Sequence, residues 1–156
     1  MPHRPSLHDR RHGGTSHRCR ARPVEGDRFR LDTGTKILTA ARLAALDPPR
    51  PLLVVTARFD LLRAAMVREL AAALGRTGAN SLLAVVRPLA NELAPIAARA
   101  QMAASLRVVD YVFIAENGDL SSLPASLQPI EIVSLEEADA ARIRQLVEHV
   151  HSRQSA

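Results

Sequence analysis

The side chains best placed for chemistry lie in one short stretch, Thr56-Ala57-Arg58-Phe59-Asp60-Leu61-Leu62-Arg63, where cations, an acid and an aromatic ring stand close together. Arg63 admits two readings. It is a phosphate-facing cation whose planar fork suits phosphate oxygens beside a helix N-terminus, or a surface residue on the helix that follows. Asp60 fits the N-cap of that helix. Phe59 fits core packing under the loop, with nucleotide contact as the second reading. Elsewhere no Ser-His-Asp set, Walker loop or metal-ligand spacing stands out. His149 and His151, two apart near the end of a helix, point to different faces and cannot share a metal. The spacings of His3, His8, His12 and His17 match no fixed ligand geometry. Cys19 is the only cysteine, which excludes a disulfide framework and points to a reducing, cytoplasmic setting.

The elements around that stretch give it a position. Thr35 to Leu46 has helical spacing and stops at Asp47-Pro48-Pro49. Leu52 to Thr56 is a continuous apolar run, as expected of a strand buried on both faces of a parallel sheet. Leu61 to Leu74 predicts a helix closed by Gly75 and Gly78. Ser81 to Val86 predicts a second buried strand, and Pro95 opens a helix to about Arg107. Val108 to Ile114 predicts a third strand, Glu116-Asn117-Gly118-Asp119 a turn, Ile130 to Val133 a fourth strand, and Glu136 to about Ser152 a last helix. Strands alternating with helices mean βαβ units and an α/β domain with a parallel sheet covered on both faces. Ligands of such sheets bind beyond the carboxyl ends of the strands, which makes the loop from Thr56 to Arg63 the candidate site. Arg99 and Asp110 are placed to form a structural ion pair between helix and strand.

Charge is unevenly spread over the 156 residues. Residues 1 to 30 hold eight arginines against three acids and account for the whole net charge of +5; the remainder has 13 basic and 13 acidic side chains. Attraction to nucleic acid is therefore expected of the N-terminal stretch alone. That Arg- and His-rich stretch has nearly no aliphatic side chains and reads as a disordered tail before a domain at 31 to 156. No apolar run reaches the roughly 18 to 20 residues of a membrane span. Heavy use of Ala and Arg suggests a bacterial source.

Residues 53 to 66, Leu-Val-Val-Thr-Ala-Arg-Phe-Asp-Leu-Leu-Arg-Ala-Ala-Met, resemble the opening of cytidylyltransferase-like nucleotidyltransferases. Glycerol-3-phosphate cytidylyltransferase and ADP-heptose synthase belong to that family, whose strand leads into Gly-x-Phe-Asp-x-x-His-x-Gly-His. Lys36-Ile37-Leu38 through Leu46 is similar to the lead-in helix of the ADP-heptose synthases. Arg99-Ala-Gln-Met-Ala-Ala-Ser-Leu-Arg-Val-Val-Asp110-Tyr-Val is similar to their R-A-x-x-x-A-A-L-x-x-V-D-Y-V block. The three matches fall in the family's order. They imply a Rossmann-like three-layer sandwich with a mostly parallel sheet of four to five strands, and a homodimer.

The resemblance also marks departures. The family's two histidines, which stabilise charge on the nucleotide phosphates, correspond to Arg63 and Met66, and its two glycines to Ala57 and Ala65. The second strand runs straight into Arg87-Pro88, so the family's acceptor-binding lysine loop is missing. Its late Ser-Thr-Thr turn has no counterpart, with Arg142-Ile143-Arg144 standing near where that turn would precede the last helix. Losing one preorganised donor lowers a rate by about 10² to 10³. The resemblance thus implies a catalytically degenerate domain, with no assigned catalytic residue, that works as a nucleotide-binding or interaction module. Its nucleotide contacts would come from Thr56, Ala57, Arg58, Phe59, Asp60, Arg63 and Arg87. The alternative is an active transferase that uses Arg63 and Arg87 to move CMP or AMP from CTP or ATP, with Mg2+, onto a sugar- or polyol-phosphate.

Overall fold

The computed structural model describes residues 33–154, which belong to one compact unit, Asp32–Ala156. The tail expected at residues 1 to 30 lies outside the described residues. The chain runs through a 3-10 turn (Thr33–Lys36), β1 (Ile37–Leu38), α1 (Ala40–Ala44), β2 (Leu52–Thr56), α2 (Ala64–Thr77), β3 (Ser81–Val86) and α3 (Ile96–Ser105). It continues through β4 (Tyr111–Ile114), 3-10 turns at Leu120–Ser122 and Ala125–Leu127, β5 (Glu131–Ser134) and α4 (Glu136–Gln154). The five strands form one sheet in the order β1-β4-β3-β2-β5, parallel at every pairing. The expected Rossmann-like α/β architecture is therefore observed.

Strand residues alternate between faces, and the two faces make two cores. Leu53, Val55, Leu82, Ala84, Val86 and Val112 pack with Met66, Leu70 and Ala73 of α2 and with Ala100, Ala103 and Ala104 of α3. Leu52, Val54, Leu83, Val85 and Phe113 turn the other way, onto Leu43 of α1 and Leu127 of the last 3-10 turn. Every residue of β2 and β3 is buried, which is why these two read as unbroken apolar runs. Among the described residues no helix is long and apolar enough to cross a membrane.

Three boundaries differ from expectation. The helix predicted from Thr35 to Leu46 is a 3-10 turn, a strand and a short helix. Ile37 and Leu38 pair with Val112 and Phe113 of β4. The Lys36 ammonium holds the turn by donating to the carbonyls of Leu106 (3.0 Å) and Val109 (2.6 Å). An open sheet edge outweighed local helix propensity there, and the Thr39 hydroxyl then caps α1 by accepting from the Arg42 amide. The strand predicted from Val108 starts only at Tyr111, because the Val109 amide closes a turn on the Leu106 carbonyl. The helix predicted from Leu61 starts at Ala64 and passes through Gly75 to end at Gly78, whose φ of 66° suits a left-handed C-terminal residue.

Candidate functional site

From β2 the chain moves through β3 to β4 on one side, then returns at β5 on the other side of β2. The order therefore switches between β2 and β5, and the loops at their carboxyl ends flank the crevice where such folds bind ligands. One wall is the loop from Ala57 to Arg63; the other is the start of α4.

The β2 loop is anchored from within. Thr56 is 1% exposed and its carbonyl accepts from the Leu135 amide at 2.8 Å. Ala57 and Phe59 are fully buried, and Phe59 takes a left-handed φ of 52° that costs a non-glycine residue on the order of 1 kcal/mol. Phe59 belongs to the core shared with Met66, so its ring packs under the loop. Asp60 does not cap α2: Arg63 holds the N-cap position, with no side-chain cap bond. The Asp60 carboxylate is instead buried, accepts from Arg58 Nε at 2.9 Å and faces Arg99 Nε at 3.7 Å.

Arginines stitch the carboxyl-edge loops together. Arg58 also donates to the Asn91 carbonyl at 2.8 Å, joining the loops after β2 and β3. Arg99, from α3 and fully buried, donates to the carbonyls of Arg58 (3.1 Å) and Arg87 (2.7 Å) and to Glu92 (2.6 Å). Its expected partner Asp110 is engaged elsewhere, accepting from the Leu82 amide at 2.9 Å, since Arg99 faces the opposite end of the strands. Arg87 forms a two-pronged pair with Glu136, with Nε at 2.8 Å, and reaches the Gly118 carbonyl at 3.0 Å. The Glu136 hydrogen bond pushes the Arg87 guanidinium above its ordinary pKa.

The crevice itself is filled by Asp139 of α4, 1% exposed. Its carboxylate accepts from Arg63 Nη2 at 2.9 Å and from the Arg58 backbone amide at 3.4 Å, with Arg142 Nη1 3.8 Å away. Arg142 is itself forked onto Glu69 of α2. Burial pushes the Asp139 pKa up; the Arg58 amide, Arg63 and Arg142 oppose that shift without cancelling it, and Glu69 adds to it. Arg142-Ile143-Arg144 lies inside α4, within the last helix expected from Glu136 to about Ser152. Beside Asp139 a groove of about 340 Å³ opens between α4 and the β3 loop, lined by Arg58, Leu93, Ile143, Arg144, Val147 and Glu148 among others.

No protein-family model and no curated protein sequence matches this chain. Arg58, Arg63, Arg87 and Arg99 each face a carboxylate of the same chain, from Asp60, Glu92, Glu136 or Asp139. Mg2+ binds through one or two carboxylates plus substrate phosphates, and each of these carboxylates already lies against a guanidinium. Among the described residues no group of three or more His, Cys, Asp or Glu side chains could hold a metal ion. Met66, at one histidine position of the resemblance, is 1% exposed and offers no hydrogen-bond donor. His149 and His151 are exposed on the last turns of α4.

The structure brings together Arg58, Asp60, Arg63 and Arg87 from the sequence-based set, and adds Arg99, Glu92, Glu136 and Asp139. Sequence reading assigned those four no place in the site. The (i, i+3) spacing of Asp139 and Arg142 was the one local signal available; nothing local named Arg63 as the partner of Asp139.

Proposed function

We propose that this chain is a catalytically degenerate member of the cytidylyltransferase-like nucleotidyltransferases, working in the cytoplasm as a nucleotide-binding or interaction module and as a homodimer. One observation carries the reading: at the two positions where the resemblance calls for phosphate-facing imidazoles, Met66 is sealed in the core and Arg63 is committed to Asp139. Arg87 is likewise committed, to Glu136. A transition state that builds negative charge needs donors aimed at it and otherwise unoccupied. Here the cations at the carboxyl edge already face internal acids.

The test is calorimetric titration of the full chain with CTP and with ATP, alongside pyrophosphate release in the presence of sugar- and polyol-phosphates. Binding without turnover is the expected result for a nucleotide module; neither binding nor turnover leaves the interaction role. Turnover that disappears in Arg63→Ala overturns the reading in favour of an active transferase. Light scattering of the same sample measures the dimer.

A further inference from the structure

Helix α4 docks in an unusual way. A surface helix ordinarily buries an apolar stripe. In α4 the only buried residue of 19 is Asp139, while Leu146, Val147 and Val150 are 42 to 44% exposed. The ties that hold α4 over the crevice are ionic: Arg87 to Glu136, Arg63 to Asp139 and Arg142 to Glu69. A helix fixed by ion pairs at one end, with Ile143 only half-buried and Leu146, Val147 and Val150 left outside, is held less firmly than one seated in a core.

The groups that receive Asp139 are those that would receive a phosphate. A backbone amide (Arg58) and two guanidinium groups (Arg63 and Arg142) converge on its carboxylate. They do so at the switch between β2 and β5, where ligands of parallel sheets bind. The fit is incomplete: Arg63 Nε–H is buried and has no acceptor, because the carboxylate meets only the Nη2 branch of the fork. A phosphate group presents three acceptor oxygens and more charge, so one oxygen can meet Nη2, a second Nε and a third the Arg58 amide.

We infer that Asp139 is a resident anion in a phosphate-binding site, and that a phosphate-bearing ligand enters the crevice by displacing its carboxylate and lifting α4 from the carboxyl edge. The exchange is non-covalent: one anion leaves the two donors and another takes them. It deepens the functional reading above at the same residues, Arg58 and Arg63, and adds the exchange of Asp139 for the ligand's phosphate.

The experiment uses the full chain and inorganic pyrophosphate as the probe, by calorimetry at fixed pH and ionic strength. Asp139→Asn, Asp139→Ser and the double variant Arg63→Ala/Asp139→Asn are compared with wild type, folding being verified by circular dichroism. Asp139→Asn should bind pyrophosphate at least about tenfold more tightly than wild type, and the double variant should lose that gain. In wild type, saturating pyrophosphate should speed amide hydrogen exchange across Glu136–Gln154. Equal affinities in wild type and Asp139→Asn, or a gain that survives removal of Arg63, overturns the inference. If neither Asp139 variant folds, wild-type exchange decides alone, and α4 exchange unchanged by pyrophosphate overturns it. Repeating the titration with CTP separates a nucleotide from free phosphate as the source. Pyrophosphate binding without CTP binding counts against the nucleotide reading and leaves this inference standing.

Discussion

The Arg63 guanidinium lies 2.9 Å from the Asp139 carboxylate across 76 positions of sequence, joining the residue that precedes α2 to the one buried side chain of α4. This contact bridges the loop after β2 and the helix after β5. It ties the last helix to the loop with the most chemical potential, so stability and access to the crevice depend on the same pair.

The protonation of Asp139 should therefore be visible in stability. Burial raises its pKa in the folded protein, so the folded state binds this proton more tightly than the unfolded chain does. The stability this proton supplies is full below the unfolded carboxylate value of about 3.9 and is lost as pH rises through the higher folded value. Urea unfolding against pH should show wild type losing stability relative to Asp139→Asn across that window. Parallel curves would show that Asp139 does not titrate differently on folding.

Arg99 should be the most sensitive charged position. It is fully buried and donates to two loop carbonyls and to Glu92, with Asp60 3.7 Å away. Arg99→Met leaves the Glu92 and Asp60 charges without this partner, at an expected cost of about 3 to 5 kcal/mol in denaturant unfolding. Arg99→Lys keeps the charge but cannot span the same acceptors, and should recover only part of the loss.

Met66→His tests whether the missing imidazole can simply be restored. Position 66 is 1% exposed in the core with Phe59 and Leu70, so the ring would bury polar nitrogens without partners. The expected result is a loss of about 1 to 3 kcal/mol, with no transferase turnover in the Arg63→His/Met66→His double variant. Recovery of pyrophosphate release would show that the crevice opens further than its ion pairs imply.

Gly75 within α2 and Gly78 just after it should respond with opposite signs. Gly75 lies within the helix, and an added methyl would meet nothing within 4 Å, so Gly75→Ala should stabilise by up to about 1 kcal/mol. Gly78 has equally open surroundings but a φ of +66°, so Gly78→Ala should destabilise by about 1 kcal/mol through backbone strain alone. Thermal melting of the two single variants measures the contrast.

The order of strands and helices was legible because it is written in short-range patterns. Leu52 to Val55 and Leu82 to Val86 are apolar throughout, and both became inner strands buried on two faces. Pro95, Gly78 and Gly118 mark breaks through backbone preferences carried by single residues. Ile37-Leu38 escaped that reading because its neighbours have helical spacing, and only the free edge of β4 drew it into the sheet.

The sequence by itself determined a parallel α/β domain and singled out the loop from Thr56 to Arg63, since periodicity and turn residues act over a few positions. Tertiary structure alone decided what that loop's charges do. A guanidinium finds whichever carboxylate the fold brings within 3 to 4 Å. For Arg63 and the Arg58 amide that carboxylate is Asp139, 76 and 81 positions away, a distance no local pattern spans.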